Sequence, residues 1–205
     1  GCSFDSLCLG AFWHISPANG DPRIRAEAVQ LLQDTAASVA ELGVRWILLP
    51  ITPGAKGDDY EDCVARWIEA VSCSASIAAA HGVTLCIENV GGGCGRSAAE
   101  MKRIIDAVGS PAVKAYYDIG NAVAFGFDPL AEIAELGDRI AIVHIKDDAD
   151  RLGDGKVPVA ACLSALHALN YPGILVFETN ATADPKVAAT YNLGYVRGVL
   201  AALGW

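Results

Sequence analysis

The sequence predicts a parallel α/β fold of the (β/α)-barrel type, and three observations carry that reading. Short apolar runs alternate with longer helical stretches six times, with no strand-only run, which is the pattern of β-α units. Hydrophobic residues make up 53% of the chain, above the usual globular share, as strands buried on both faces require. Four consecutive apolar runs end in a side chain able to bind a divalent cation: Glu88, Asp118, His144 and Glu178. In parallel α/β folds the C-terminal strand ends form the rim on which active sites are built.

Each element has its own signal. Residues 7–13 read as the first strand and lead into a loop over 16–22. Asp21 then stands at an N-cap, with Pro22 at the first helical position, for a helix reaching Leu42 and stopped by Gly43. The run 44–50 is the second strand. A loop with Pro53, Gly54 and Gly57 follows, and a helix over 60–81 ends at Gly82. The next strands end at Glu88, Asp118, His144 and Glu178, with helices near 97–108, 128–136 and 158–169 and a last helix over 184–203. The units share a pattern and not a sequence, so the repeat belongs to the fold. No long linker divides the chain, and residues 1–205 read as a single domain.

An open doubly wound sheet competes with a barrel. Such a sheet announces a phosphate-binding glycine turn after its first strand. The glycine-rich stretch Gly91-Gly92-Gly93-Cys94-Gly95 is neither GxGxxG nor a P-loop, and it follows the third strand. It reads as a flexible loop over the pocket. Ligand-type residues on four consecutive strand ends fit a barrel, which gathers such residues around one axis.

Charge and composition exclude some classes. A net charge of −9 argues against general affinity for nucleic acid or anionic membranes, both of which reward basic patches. No uninterrupted apolar run reaches the roughly 18 residues of a membrane span, so a soluble protein without a membrane partner is expected. Seven cysteines, at 2, 8, 63, 73, 86, 94 and 162, are scattered with no CxxC pair, which suits packing in a reduced, cytoplasmic compartment.

The motifs add a resemblance. Leu85-Cys86-Ile87-Glu88-Asn89, Tyr117-Asp118-Ile119-Gly120-Asn121, Val143-His144-Ile145-Lys146-Asp147 and Leu152-Gly153-Asp154-Gly155-Lys156 resemble the sugar isomerase/epimerase family. Leu169-Asn170-Tyr171-Pro172-Gly173 leading to Phe177-Glu178 adds to the likeness. This is the xylose-isomerase-like TIM-barrel superfamily, which also holds tagatose epimerases, hydroxypyruvate isomerases and AP endonuclease IV. In that family the ligands come from strands five to eight. The resemblance therefore implies a TIM-type barrel of which six of eight β/α units are visible and the first two are lacking. Two positions depart from the pattern. Asn121 stands where the family often has a histidine, and the extra histidines that a three-zinc endonuclease site needs are absent.

The resemblance implies a metal-dependent isomerase or epimerase of a sugar, keto-sugar or sugar phosphate. Glu88, Asp118, His144 and Glu178 would hold one divalent ion. Three carboxylates and an imidazole suit Mn²⁺, Mg²⁺ or Co²⁺, and Zn²⁺ is compatible. In related epimerases Glu88 and Glu178 would take and return the substrate proton through a metal-stabilised enediolate. Asn121, Lys146 and Arg151 are candidates for binding substrate oxygens, and Trp13 and His14 for walling the pocket; His81 and His167 read as structural. Metal-dependent dehydratase or lyase chemistry on a keto-sugar or inosose, and a non-catalytic degenerate barrel, are the alternatives. The single methionine is Met101. Two missing units correspond to about 60 residues, so either a preceding segment or a homo-oligomer is expected to cover the outer edges of the first and last strands.

Overall fold

The computed structural model describes residues 3–180 and 184–205. Cys2, counted above, lies outside the described residues. Six strands alternate with seven α-helices among those residues, and the strand order in the sheet is the order in sequence. With six strands where a closed TIM-type barrel has eight, the fold is a partial (β/α) barrel. The chain forms two compact units, residues 1–116 and 117–205.

The first unit contains β1 (Ser6–Cys8), α1 (Pro22–Val39), β2 (Trp46–Pro50), α2 (Tyr60–Ala80), β3 (Thr84–Glu88) and α3 (Ala98–Val108). It ends within β4 (Val113–Asp118). Neighbouring strands are parallel, with Leu7 opposite Ile47, Ile47 opposite Leu85 and Glu88 opposite Tyr116. Ile47, Leu49, Leu85 and Ile87 are fully buried, and on the alternate positions Cys86 is fully buried and Leu48 buried. Covering both faces with helices and loops produces that continuous apolar run. Asp21 caps α1 as expected, accepting from Arg23 N; Asp59 accepts from Glu61 N at the head of α2, and Ser97 forms a capping box with Glu100 at the head of α3.

Two sequence expectations change in this unit. The first strand stops at Cys8, and Gly10–Trp13 forms a 3-10 turn where the strand was expected to run on to Trp13. The reason is Phe12. The turn carries its ring into the core, fully buried and edge-on to Trp67 at 5.6 Å. Thr52 fixes the crossing, since its hydroxyl donates to Phe12 O and its carbonyl accepts from Trp67 Nε1, both at 3.0 Å. The glycine loop differs as well. It is packed and not free, because a Cβ on Gly93 or Gly95 would land on Ile51, and Cys94 between them is buried.

Helix α2 is the one helix among the described residues with the length and composition to cross a membrane. It is amphipathic in use: Trp67, Val71 and Ala78 are buried while α1 and α3 pack beside it. That is the behaviour of a core helix in an α/β fold.

The second unit completes β4 and adds α4 (Ile119–Ala124), α5 (Pro129–Leu136), β5 (Ile140–Ile145), α6 (Val159–Ala168), β6 (Ile174–Phe177) and α7 (Pro185–Leu203). The sequence reading did not contain α4. β5 and β6 run parallel, with His144 opposite Val176 and Ile145 opposite Phe177. Tyr171 closes the turn into β6 by donating to Ile174 O, 2.9 Å away. His167 lies in α6, its ring 5.5 Å from that of Trp205, and His81 is the C-cap residue of α2.

Candidate metal centre

Strand periodicity aims the site residues. Side chains two apart on a strand share a face. His144 is therefore on the same face as Lys146, just past the end of β5. Its register partner Val176 is on the same face as Glu178, one residue past β6. Glu178 extends the ladder, its N–H donating to Ile145 O at 3.2 Å. Asp118 ends β4, is fully buried, and caps α4 by accepting from Asn121 N at 2.8 Å. Helix N-termini favour such a negative charge.

These side chains converge. Asp118, His144 and Glu178 each offer a ligand atom, and those atoms lie within 4.8 Å of one another. His144 Nδ1 is 3.6 Å from Asp118 Oδ2 and 3.5 Å from Glu178 Oε2. Lys146 Nζ joins them, donating to Glu178 Oε2 at 2.9 Å, to Asn121 Oδ1 at 3.2 Å and to Asp118 Oδ2 at 3.5 Å. Gly120 makes this reach feasible, because a Cβ there would lie 2.8 Å from the Lys146 side chain.

The electrostatics favour an ionised Asp118. Burial pushes its carboxyl upward. Side-chain hydrogen bonds with His144 and Glu178, the Asn121 N–H and the Lys146 charge outweigh that and hold it below the usual 3.8. Lys146 is affected in the reverse sense. Burial works against its charge, but Asp118 and Glu178 hold its pKa above the usual lysine value. The arrangement is a set of anionic oxygens and one imidazole gathered around a point that attracts cations. A cluster of glutamate, aspartate and histidine of this kind could hold a divalent metal ion.

The other expected site residues are distributed as follows. Glu88 closes β3 in the first unit and is buried, 6% exposed. Trp13 ends the 3-10 turn of that unit at 54% exposure, and His14 beside it is also exposed. In the second unit, Asn121 and Lys146 join the cluster. Arg151 does not, for its guanidinium lies 5.1 Å above the ring of Tyr191 on α7. The sequence reading overlooked Asp147. This buried carboxylate accepts the N–H groups of Asp148, Gly153, Gly155 and Val157. The signal was the glycine-spaced run Gly153-Asp154-Gly155 a few residues after an aspartate.

A parallel (β/α)-barrel architecture with acidic and imidazole groups at its strand ends defines a barrel protein with a candidate metal centre. The chain belongs to the xylose isomerase-like TIM barrel family, which matches residues 2–197. The chain is 28% identical over 190 residues to SgbU of Escherichia coli (strain K12), provisionally named an L-ribulose-5-phosphate 3-epimerase. That match covers 87% of this chain and 66% of SgbU. It is also 22% identical over 212 residues to the L-ribulose-5-phosphate 3-epimerase UlaE of Escherichia coli O157:H7, across the full chain and 75% of UlaE. Among solved structures, an L-ribulose 3-epimerase superposes with a TM-score of 0.87 at 22% identity, covering 97% of this chain and 75% of that one. The 3-keto-D-glucoside 4-epimerase YcjR of E. coli superposes at 0.85 and 19% identity, over 97% and 80% of the two chains. The structural likeness carries the fold. The chain spans just under two thirds of the length of SgbU and of its Haemophilus influenzae namesake.

Proposed function

We propose that this protein is a cytoplasmic, metal-dependent epimerase or isomerase of a keto-sugar or its phosphate. The convergence of Asp118, His144 and Glu178 within 4.8 Å is the observation that carries the reading. The names of the relatives, sugar 3-epimerases and a keto-glucoside 4-epimerase, support the reaction class. In this reading Glu88 is the fourth ligand. It is buried at a strand end, and its register partner Tyr116 stands two residues before Asp118, so the two carboxylates belong to the same face of the strand pair.

The donor set fits a hard or borderline divalent cation. Such an ion, when bound, supplies Lewis-acid stabilisation of the negative charge that develops on a sugar carbonyl. The chain's own groups do the rest. Glu88 and Glu178 remove and return the proton on the carbon next to the carbonyl, as two carboxylates reaching opposite sides of the substrate. Asp118 and His144 hold the site together. Lys146 and Asn121 orient substrate oxygens, and Trp13 and His14 are the candidates for walling the pocket. The six free cysteines found among the described residues fit a reducing compartment.

The test is exchange of the substrate's α-proton with deuterated water, measured on a panel of ketoses and ketose phosphates with full-length, metal-loaded protein. Exchange with recovery of an epimer is expected. Product lighter by one water would replace the reading with a dehydratase, and absence of any exchange would overturn it.

A further inference from the structure

Next to the cluster the second unit contains a cavity of about 470 Å³, lined by Asn121, Lys146, Asp148, Lys156, Val157 and Asn180. Lys146 and Asn121 belong to both places, so the cavity begins where the cluster ends. One wall is the segment 148–157. It has no regular secondary structure, yet it is held from two sides.

From the β5 side, Asp147 holds it. This carboxylate is 2% exposed. Its Oδ1 accepts from Asp148 N at 2.9 Å and Val157 N at 3.2 Å, and its Oδ2 from Gly153 N at 3.0 Å and Gly155 N at 3.2 Å. From the α7 side, Asn192, 1% exposed, accepts from Leu152 N at 2.9 Å and donates to Asp150 O at 3.2 Å. Gly155 has no room for a side chain, since a Cβ would land on the carboxylates of Asp147 and Asp148. Four N–H groups on one buried carboxylate are far more than a solvated surface loop needs. Charge-assisted bonds of this type are the strong ones. They cost a buried charge that a merely connecting loop would avoid. Lys146 and Asp147 are consecutive, so one strand end both reaches into the cluster and sets the wall beside it.

We propose that Asp147 is a positioning residue for substrate specificity. It fixes segment 148–157 as the rigid wall of a subsite for the end of the sugar that lies away from the metal ligands, with Lys156 facing that end. This rests on the keto-sugar reading above and adds where the rest of the substrate lies. The chemistry recognised is a terminal oxygen substituent, either a hydroxyl or its phosphate ester.

The test is calorimetric titration of full-length, metal-loaded protein with L-ribulose and with L-ribulose 5-phosphate, together with amide hydrogen exchange. Asp147→Asn turns one acceptor oxygen into a donor facing N–H groups. It is expected to weaken binding of the preferred sugar about tenfold, to leave the metal Kd within about twofold, and to release exchange protection at Gly153, Gly155 and Val157. Gly155→Ala, which displaces the wall by pushing its Cβ against the Asp147 and Asp148 carboxylates while leaving the Asp147 charge in place, should reproduce the loss of sugar affinity and covers the case in which Asp147→Asn fails to fold. Lys156→Met should weaken the phosphate ester alone if the terminal group is phosphate, and both sugars if it is a hydroxyl. Wild-type binding of sugar that survives in Asp147→Asn or Gly155→Ala, despite lost amide protection, overturns this proposal alone. Failure of the wild type to bind either sugar overturns it together with the keto-sugar reading.

Discussion

Lys146 Nζ lies 2.9 Å from Glu178 Oε2 and 3.5 Å from Asp118 Oδ2, so an ammonium shares the acidic cluster with His144. The ammonium neutralises part of the charge that carboxylates held this close would otherwise repel with. It also opposes a dication placed among the same oxygens. The expected outcome for Lys146→Met is a metal Kd about tenfold tighter, a difference of about 1.4 kcal/mol, with a raised KM for the sugar. Metal titration by calorimetry checks the first part, and weaker metal binding in the variant would show that Lys146 supports the site.

Glu178→Gln removes one anionic ligand and one proton carrier at once. Metal content of protein purified without chelator should fall below half of the wild-type level, and α-proton exchange should drop at least 100-fold. Glu88→Gln should cause a similar loss of exchange. Near-normal turnover in Glu88→Gln would exclude that residue from the proton transfer.

Removing the metal with a chelator should abolish exchange and restore it on adding Mn²⁺ or Co²⁺. Asp118→Asn should resist that restoration, since the buried, fully enclosed carboxylate at the head of α4 is replaced by a weak ligand. Activity that survives exhaustive chelation would rule out a metal-dependent reaction.

The thiols should divide by burial. Cys8 and Cys73 are exposed, while Cys63, Cys86, Cys94 and Cys162 are buried. Burial pushes the Cys162 thiol up to about 12 from its ordinary 9.0. A thiol whose folded pKa is raised stabilises the fold fully below its unfolded value, and that contribution is lost as pH rises from about 9 towards 12. At pH 8, mass spectrometry should find rapid alkylation at Cys8 and Cys73 and little at Cys162 until the protein unfolds. Fast native alkylation of Cys162 would contradict its packing.

Trp67 bears on stability and not on chemistry. It is fully buried, meets Phe12 edge-on, and spends its indole N–H on Thr52 O. Trp67→Ala should cost about 3–5 kcal/mol in denaturant unfolding, and a loss below 1 kcal/mol would mean that the surrounding residues collapse into the space.

What the sequence determined by itself was whatever depends on local pattern. The order of the strands, every helix but α4, the cap at Asp21, and the strand-end placement of Glu88, Asp118, His144 and Glu178 were legible. Burial on both strand faces, capping chemistry and helix-stop glycines leave marks within a few residues of where they act. The tertiary structure decided the rest. The first strand is shortened at Cys8 because Phe12 finds its partner in Trp67, more than fifty residues away along the chain. The glycine loop is packed because Ile51, forty residues before it, comes up against its backbone. Arg151 is taken out of the cluster by Tyr191 on α7. Lys146 is drawn into it by Glu178, thirty-two positions onward. In each case the deciding partner is distant in sequence. Local periodicity says which face a side chain takes, and only the packed chain says what it meets there.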